Sequence, residues 1–278
     1  MRARFKALAA PLRVFPRVTP LRVLPRVAPA AALVAVAFFA GAAHAQVRVA
    51  TSGAFTAALL KLKPELQRAI HEPIETVATS IGVGDYSIPS RLARSEAIDV
   101  VIVDETTLEN LIHADRVRAD SRVDLARSTI GIAVRAGTPK PDIGTVAALR
   151  ETLLAAKSVA YSASVSGTYV STELFQKLGI ADQMAGKSRR IDGERVGAVV
   201  ARGDAEIGFQ QISELKPIEG IEIVGPLPDE VQKASVFSAG VTSYSPNFVA
   251  ARGLIEYLAS PAAADIVTGT GLEPLHAH

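Results

Sequence analysis

Val47-Arg48-Val49-Ala50-Thr51-Ser52-Gly53-Ala54-Phe55 runs from β-branched residues through small hydroxyl residues and glycine into an apolar pattern of helical period. It predicts a strand over 47–51 whose carboxyl end opens directly into a helix over 54–70, interrupted near Pro64. A helix start of this kind leaves backbone N–H groups unpaired, and the helix dipole adds partial positive charge beside them. Ordinary N-capping accounts for one such Ser or Thr equally well. The junction gains weight from a second one in the other half of the chain, Ser162-Ala163-Ser164-Val165-Ser166-Gly167-Thr168-Tyr169, which also follows an apolar run. Two neutral donor turns, one from each half, can face one ligand.

Outward from 47–55, strand and helix patterns alternate. Strands are expected at 74–79, 98–103, 128–135, 158–162, 205–209, 221–224 and 236–241. Helices are expected at 89–96, 106–113, 146–156, 168–178, 196–202, 247–259 and 262–268, with Thr106 or Thr107 capping the second. Gly137-Thr138-Pro139 closes the first run of alternation, and Gly225-Pro226-Leu227-Pro228 breaks the second. This implies an α/β protein of two lobes, each a mainly parallel sheet with flanking helices and the ligand cleft between them. Lobe 1 is assigned to 46–127 and 225–278, lobe 2 to 128–224.

Charge separates off the first 45 residues. The chain holds 30 Lys+Arg against 28 Asp+Glu, a formal +2. Residues 1–45 contain seven of the bases and no acid, so 46–278 holds 23 bases against 28 acids and a net charge of −5. The basic stretch 1–27, the apolar run 28–43 and the small residues of Ala43-His44-Ala45 predict a signal peptide cleaved after Ala45. The run falls short of the ~20 apolar residues of a spanning helix. The expected product is a periplasmic monomer. Its acidity argues against nucleic acid as a partner, and no helix-turn-helix precedes the first strand.

The absence of cysteine rules out disulfides, thiolate metal sites and thiolate nucleophiles. No histidine has metal-ligand spacing, and no H-E-x-x-H, Walker loop or G-x-S-x-G occurs. Neither a metal nor a cofactor is expected. Thr79–Tyr86 has an incomplete glycine fingerprint and reads as a loop in which Ser80 is a further donor. Arg91 and Arg94 lie three apart on one helix, where Arg91 can reach a carboxylate or simply face solvent. Asp99 and Asp104 flank an apolar strand and are expected to fix loops.

The strand-TSGAF-helix unit, Ile98-Asp99-Val100-Val101-Ile102, the Ser164–Tyr169 turn, Gly203-Asp204-Ala205-Glu206-Ile207-Gly208 and the closing Leu258-Ala259-Ser260-Pro261-Ala262-Ala263-Ala264 together resemble the periplasmic molybdate-binding proteins. These are type 2 periplasmic binding folds, and the resemblance spans most of 46–275. It implies two lobes closing on an anion held by neutral donors: Ser52 and Gly53, Ser80, and the Ser164, Ser166, Gly167 and Thr168 turn. It further implies delivery to an ABC-type inner-membrane permease. Where molybdate binders place a tyrosine, this chain has Gln210-Gln211. The Gln211 amide both donates and accepts, which suits a small organic acid at least as well as an oxyanion. The leading expectation is therefore solute capture for uptake. The second is an isomerase similar to aconitate isomerase, which shares this branch of the fold. An allylic proton shift needs a base and donors to the developing enolate; candidate bases are Tyr86, Tyr169, Asp85 and Glu214.

Overall fold

Eleven strands form two mixed sheets in the computed structural model, which describes residues 46–77 and 84–275. Residues 1–45, where the signal peptide is expected, Ser80 with residues 78–83, and residues 276–278 lie outside the described residues. In chain order the strands are β1 (Val47–Thr51), β2 (Ile74–Val77), β3 (Val100–Asp104), β4 (Val123–Ser128), β5 (Ile130–Arg135) and β6 (Val159–Ser162). There follow β7 (Ser188–Ile191), β8 (Ile207–Gln211), β9 (Ile221–Pro226), β10 (Ser235–Val241) and β11 (Glu273–Pro274). One sheet has the order β11-β4-β10-β3-β1-β2, the other β7-β6-β8-β5-β9.

The β-α-β stretches pair in parallel, β1 with β2 and β3, and β6 with β7 and β8. Around them the sheets are less parallel than the alternation implied. β10 runs antiparallel to β3 and β4, and β5 antiparallel to β8 and β9. These are the strands on which the chain passes from one sheet to the other. The run 128–135 is not one strand: it divides at Thr129, with β4 in the first sheet and β5 in the second. The short edge pair β11–β4 follows the last helix, after the strand expected to close the fold.

Successive residues of a strand face opposite sides of its sheet, and both sides here are covered. Val47, Val49, Val100 and Ile102 pack with Phe55, Leu59, Leu62 and Leu66 of the helix Gly53–Ile70 and with the helix Phe248–Leu258. Ala50, Val101 and Val103 join Leu92, Leu108 and Leu111 on the other side. That double burial explains why β3 reads as an unbroken apolar run. In the second sheet Ile132, Val159 and Phe209 lie in one core, with Ala160, Val196 and Val200 in another.

The helix Gly53–Ile70 is continuous through Pro64. Proline removes one intrahelical hydrogen bond, at Leu60, which is itself half exposed. Burial of Leu59, Leu62 and Leu66 on either side of it holds the helix together. Asp104, not a threonine, caps Glu105–His113 by accepting from the Thr107 N–H at 3.0 Å and its hydroxyl at 2.7 Å. Asp99 accepts from Arg48 N, Ser245 Oγ and Asn247 Nδ2, fixing the start of β1 and the segment after β10. Both carboxylates thus fix backbone.

The chain crosses between the sheets at Thr129 and again over 227–234. Gln232 clips the two crossings together. Its Oε1 accepts from Ile130 N at 3.0 Å and its Nε2 donates to Ile130 O at 2.9 Å. A side-chain amide thereby stands in for a peptide group of a neighbouring strand.

Candidate functional site

A cavity of about 580 Å³ is bounded by both sheets at their strand-to-helix junctions. From the first sheet come Ser52 and Gly53 after β1 and Asp104 at the end of β3; from the second come Ala163, Ser164 and Ser166 after β6 and Gln211 at the end of β8. Ser87 and Ser90 at the start of the helix Ile88–Ala93, Thr107 on Glu105–His113, Thr168, Tyr169 and Glu173 on the helical stretch 165–177, Glu214 on Ile212–Leu215, Lys233 on the second crossing and Ser235 at the start of β10 complete the polar lining.

Ser52 heads the 18-residue helix Gly53–Ile70 in an extended conformation with no side-chain cap. Its backbone is engaged, N–H to Ile102 O at 2.8 Å and carbonyl to the Thr56 hydroxyl at 3.0 Å. The Ser52 Oγ is buried and finds no partner among the described residues. A buried unpaired hydroxyl is costly, and this one borders the cavity beside a helix N-terminus.

Opposite it, Ser162, Ser164 and Ser166 form a triangle of hydroxyls, with Oγ separations of 2.7 Å (162 to 164), 3.0 Å (164 to 166) and 3.5 Å (162 to 166). Each hydroxyl has one proton and two lone pairs, so a proton of the triangle can turn outward without orphaning its neighbours. Ser164 is the N-cap of Val165–Tyr169. Gly167 packs rather than lines: a Cβ there would collide with the Ser162 carbonyl, so glycine lets this helix seat directly on the end of β6. Thr168 turns its hydroxyl back to Ser164 O at 3.2 Å.

The candidate bases separate sharply. Tyr86 is 71% exposed and, like the exposed Asp85, is not part of the cavity wall. Tyr169 is in the wall, but its hydroxyl donates to Val231 O at 2.6 Å, leaving the ring as the part that shapes the cavity. Glu214 is 4% exposed, and its carboxyl sits at the head of the helix Gly53–Ile70, so that a Cβ on Gly53 would collide with Oε1. Burial pushes this carboxyl up to about 7, with Arg195 and the Gln210 amide acting in the opposite direction.

Two other expected ligand residues have partners of their own. Arg91 is nearly buried away from the cavity in a two-pronged ion pair with Glu96, Nε to Oε2 at 2.7 Å and Nη2 to Oε1. Its neighbour five residues on captures it because the helix Ile88–Ala93 ends early and Glu96 folds back. Gln211 does border the cavity, but its Oε1 accepts from Ser128 Oγ at 2.7 Å and its Nε2 donates to Ser235 Oγ at 3.3 Å. Ser87, Glu173 and Lys233 escaped sequence reasoning. Ser87 had a signal, a serine three residues ahead of the Ser90 N–H it caps with proline between. Glu173 and Lys233 meet across 60 positions, and no local pattern announces that.

No group of His, Cys, Asp or Glu able to hold a metal occurs among the described residues. None of their helices is long and apolar enough to cross a membrane.

Two sheets flanked by helices, with helix N-termini and hydroxyls from both converging on one cavity, define a two-lobed periplasmic binding fold. Residues 47–273 match the pattern of the bacterial extracellular solute-binding proteins, and the chain belongs to that family. It is 44% identical over 230 residues to an aconitate isomerase of Pseudomonas sp., covering 82% of this chain and 88% of that one. The periplasmic molybdate-binding protein of Azotobacter vinelandii superposes with a TM-score of 0.66 at 18% identity, covering 84% of this chain and all of its own. The substrate-binding domain of a molybdenum ABC transporter from Clostridium difficile gives 0.63 at 18%, covering 83% and 99%. These two likenesses carry the fold; the family and the fold are those of binding proteins for small solutes.

Proposed function

We propose that the protein is an isomerase that shifts a proton along the allylic unit of a small unsaturated polycarboxylate, interconverting trans- and cis-aconitate. The observation that carries this reading is Glu214, a cavity carboxyl near neutrality set against Gly53 at the head of a helix whose N-cap residue, Ser52, has a buried hydroxyl with no partner among the described residues. The identity shared with an aconitate isomerase supports the substrate class.

Glu214 as carboxylate takes a proton from the methylene carbon next to the double bond. The C–H electron pair spreads over the three-carbon unit and its carboxylate, as a dienolate-like anion. The Ser52 hydroxyl and the N–H groups behind it receive that charge. Glu214 then returns the proton to the other end of the allylic unit, and the double bond has moved with no net change in composition. A carboxyl that titrates near 7 takes and gives up a proton with comparable ease at neutral pH. The test is incubation with trans-aconitate and chromatographic detection of the cis isomer; absence of turnover sinks the reading. Ser52→Ala is expected to lower kcat/KM by about 100-fold without lowering thermal stability, since the hydroxyl it removes has no partner among the described residues.

The second reading, capture of an anion for ABC-type uptake, is favoured by the family itself. Thermal shift with molybdate, sulfate and di- and tricarboxylates distinguishes it: stabilisation by an oxyanion, without turnover of aconitate, selects uptake. In either role we propose export with cleavage after Ala45 and action as a periplasmic monomer. Mass spectrometry of the exported protein should find Gln46 at its start.

A further inference from the structure

A polyanion entering this cavity faces three carboxyl groups, Asp104, Glu173 and Glu214, and Lys233 is the only cationic side chain among the described residues that line it. Asp104 is occupied by its helix cap. Glu173 accepts from Lys233 Nζ at 3.0 Å and lies 3.6 Å from Lys177 Nζ. Both ammonium groups stand over the Tyr169 ring, at 5.1 Å and 5.0 Å from its centroid. That ring is pinned through its hydroxyl to Val231, two residues before Lys233. The cluster Lys177, Glu173 and Lys233 therefore carries one net positive charge at the wall of an otherwise acidic cavity.

We propose that Lys233 recognises a ligand carboxylate by exchanging Glu173 for it. Glu173 is an internal stand-in that holds the ammonium in place when no ligand is bound. The exchange leaves no charge stranded, because Lys177, four residues along the same helical stretch, keeps its own contact with Glu173. The chemistry selects ligands with more than one carboxylate: one reaches the serine and helix-start donors, and another reaches Lys233. This deepens the polycarboxylate reading above and rests on it for the ligand class.

The test is calorimetric titration with tricarballylate, a saturated tricarboxylate that cannot isomerise, against the wild type, Lys233→Gln and Glu173→Gln. Lys233→Gln is expected to weaken binding by about tenfold or more, the loss of one charge-assisted hydrogen bond. Glu173→Gln is expected to tighten it, since the competing carboxylate is gone. A purely structural Lys233–Glu173 bridge predicts instead that both variants weaken binding alike, and that result overturns the proposal. So does wild-type affinity in Lys233→Gln, or no binding by the wild type. The two readings fail separately: opposed shifts without turnover of trans-aconitate remove the isomerase and keep Lys233, while turnover with unchanged KM in Lys233→Gln does the reverse.

Discussion

Glu214 owes its character to its surroundings. Buried against Gly53, it is more readily protonated in the folded protein than in the unfolded chain, about 7 against an ordinary 4.5. Below about 4.5 both states hold the proton and the burial costs nothing through this group. Between there and about 7 the unfolded chain gives up its proton first, so stability falls as pH rises. Above about 7 the whole penalty is present, on the order of 3 kcal/mol. Glu214→Gln should therefore gain stability over the wild type progressively through that window in urea titrations at fixed pH. It should also abolish isomerisation, and the wild-type kcat/KM should show an inflection near 7. A flat stability difference from pH 4.5 to 8 would contradict this placement of the proton. The sequence offered Glu214 only as one of four candidate bases, with nothing in Ile212-Ser213-Glu214-Leu215 to rank it above Tyr86, Tyr169 or Asp85, because its burial depends on Gly53, 161 positions earlier.

At the scale of elements, the two donor turns were legible because strand ends, hydroxyls and glycines lie adjacent in sequence. The helix Gly53–Ile70, both serine turns and the apolar β3 follow from local pattern. What local pattern could not give is pairing across distance: the split at Thr129, the edge strand β11, the capture of Arg91 by Glu96 and the bonds that occupy Gln211. The stretch 165–177 adds a further irregularity, a π-helical turn over Val170–Leu174 that local propensity does not foretell. Gly167 sets how closely that stretch seats on β6. Gly167→Ala pits a methyl group against the Ser162 carbonyl, a backbone atom that cannot rotate away. The variant should lose about 2–3 kcal/mol of stability, and the movement should displace the Ser164 and Ser166 hydroxyls. Denaturant unfolding and tricarballylate affinity measure the two effects; an unchanged midpoint would show that the helix can shift freely.

Across the whole molecule, two sheets with separate cores share one cavity, and the chain passes between them twice. Gln232 joins those passages through the Ile130 peptide group. Gln232→Ala leaves that N–H without its partner and should cost about 1–2 kcal/mol. Hydrogen exchange at Ile130 should accelerate well beyond exchange in the core of either sheet; equal protection in variant and wild type would place the restraint elsewhere. The clip also has an energetic reading. Where the chain crosses, side-chain amides carry much of the joint: Gln232 holds the Ile130 peptide group, and Gln211 of the second sheet bonds Ser128 and Ser235 of the first, so rocking at the waist works against a few hydrogen bonds of about 0.5–1.5 kcal/mol each. A ligand held at merely millimolar affinity releases about 4 kcal/mol. Even a weakly held metabolite thus commands free energy of the same order as these bonds oppose, so closing on a ligand and opening to release it are contests between comparable energies.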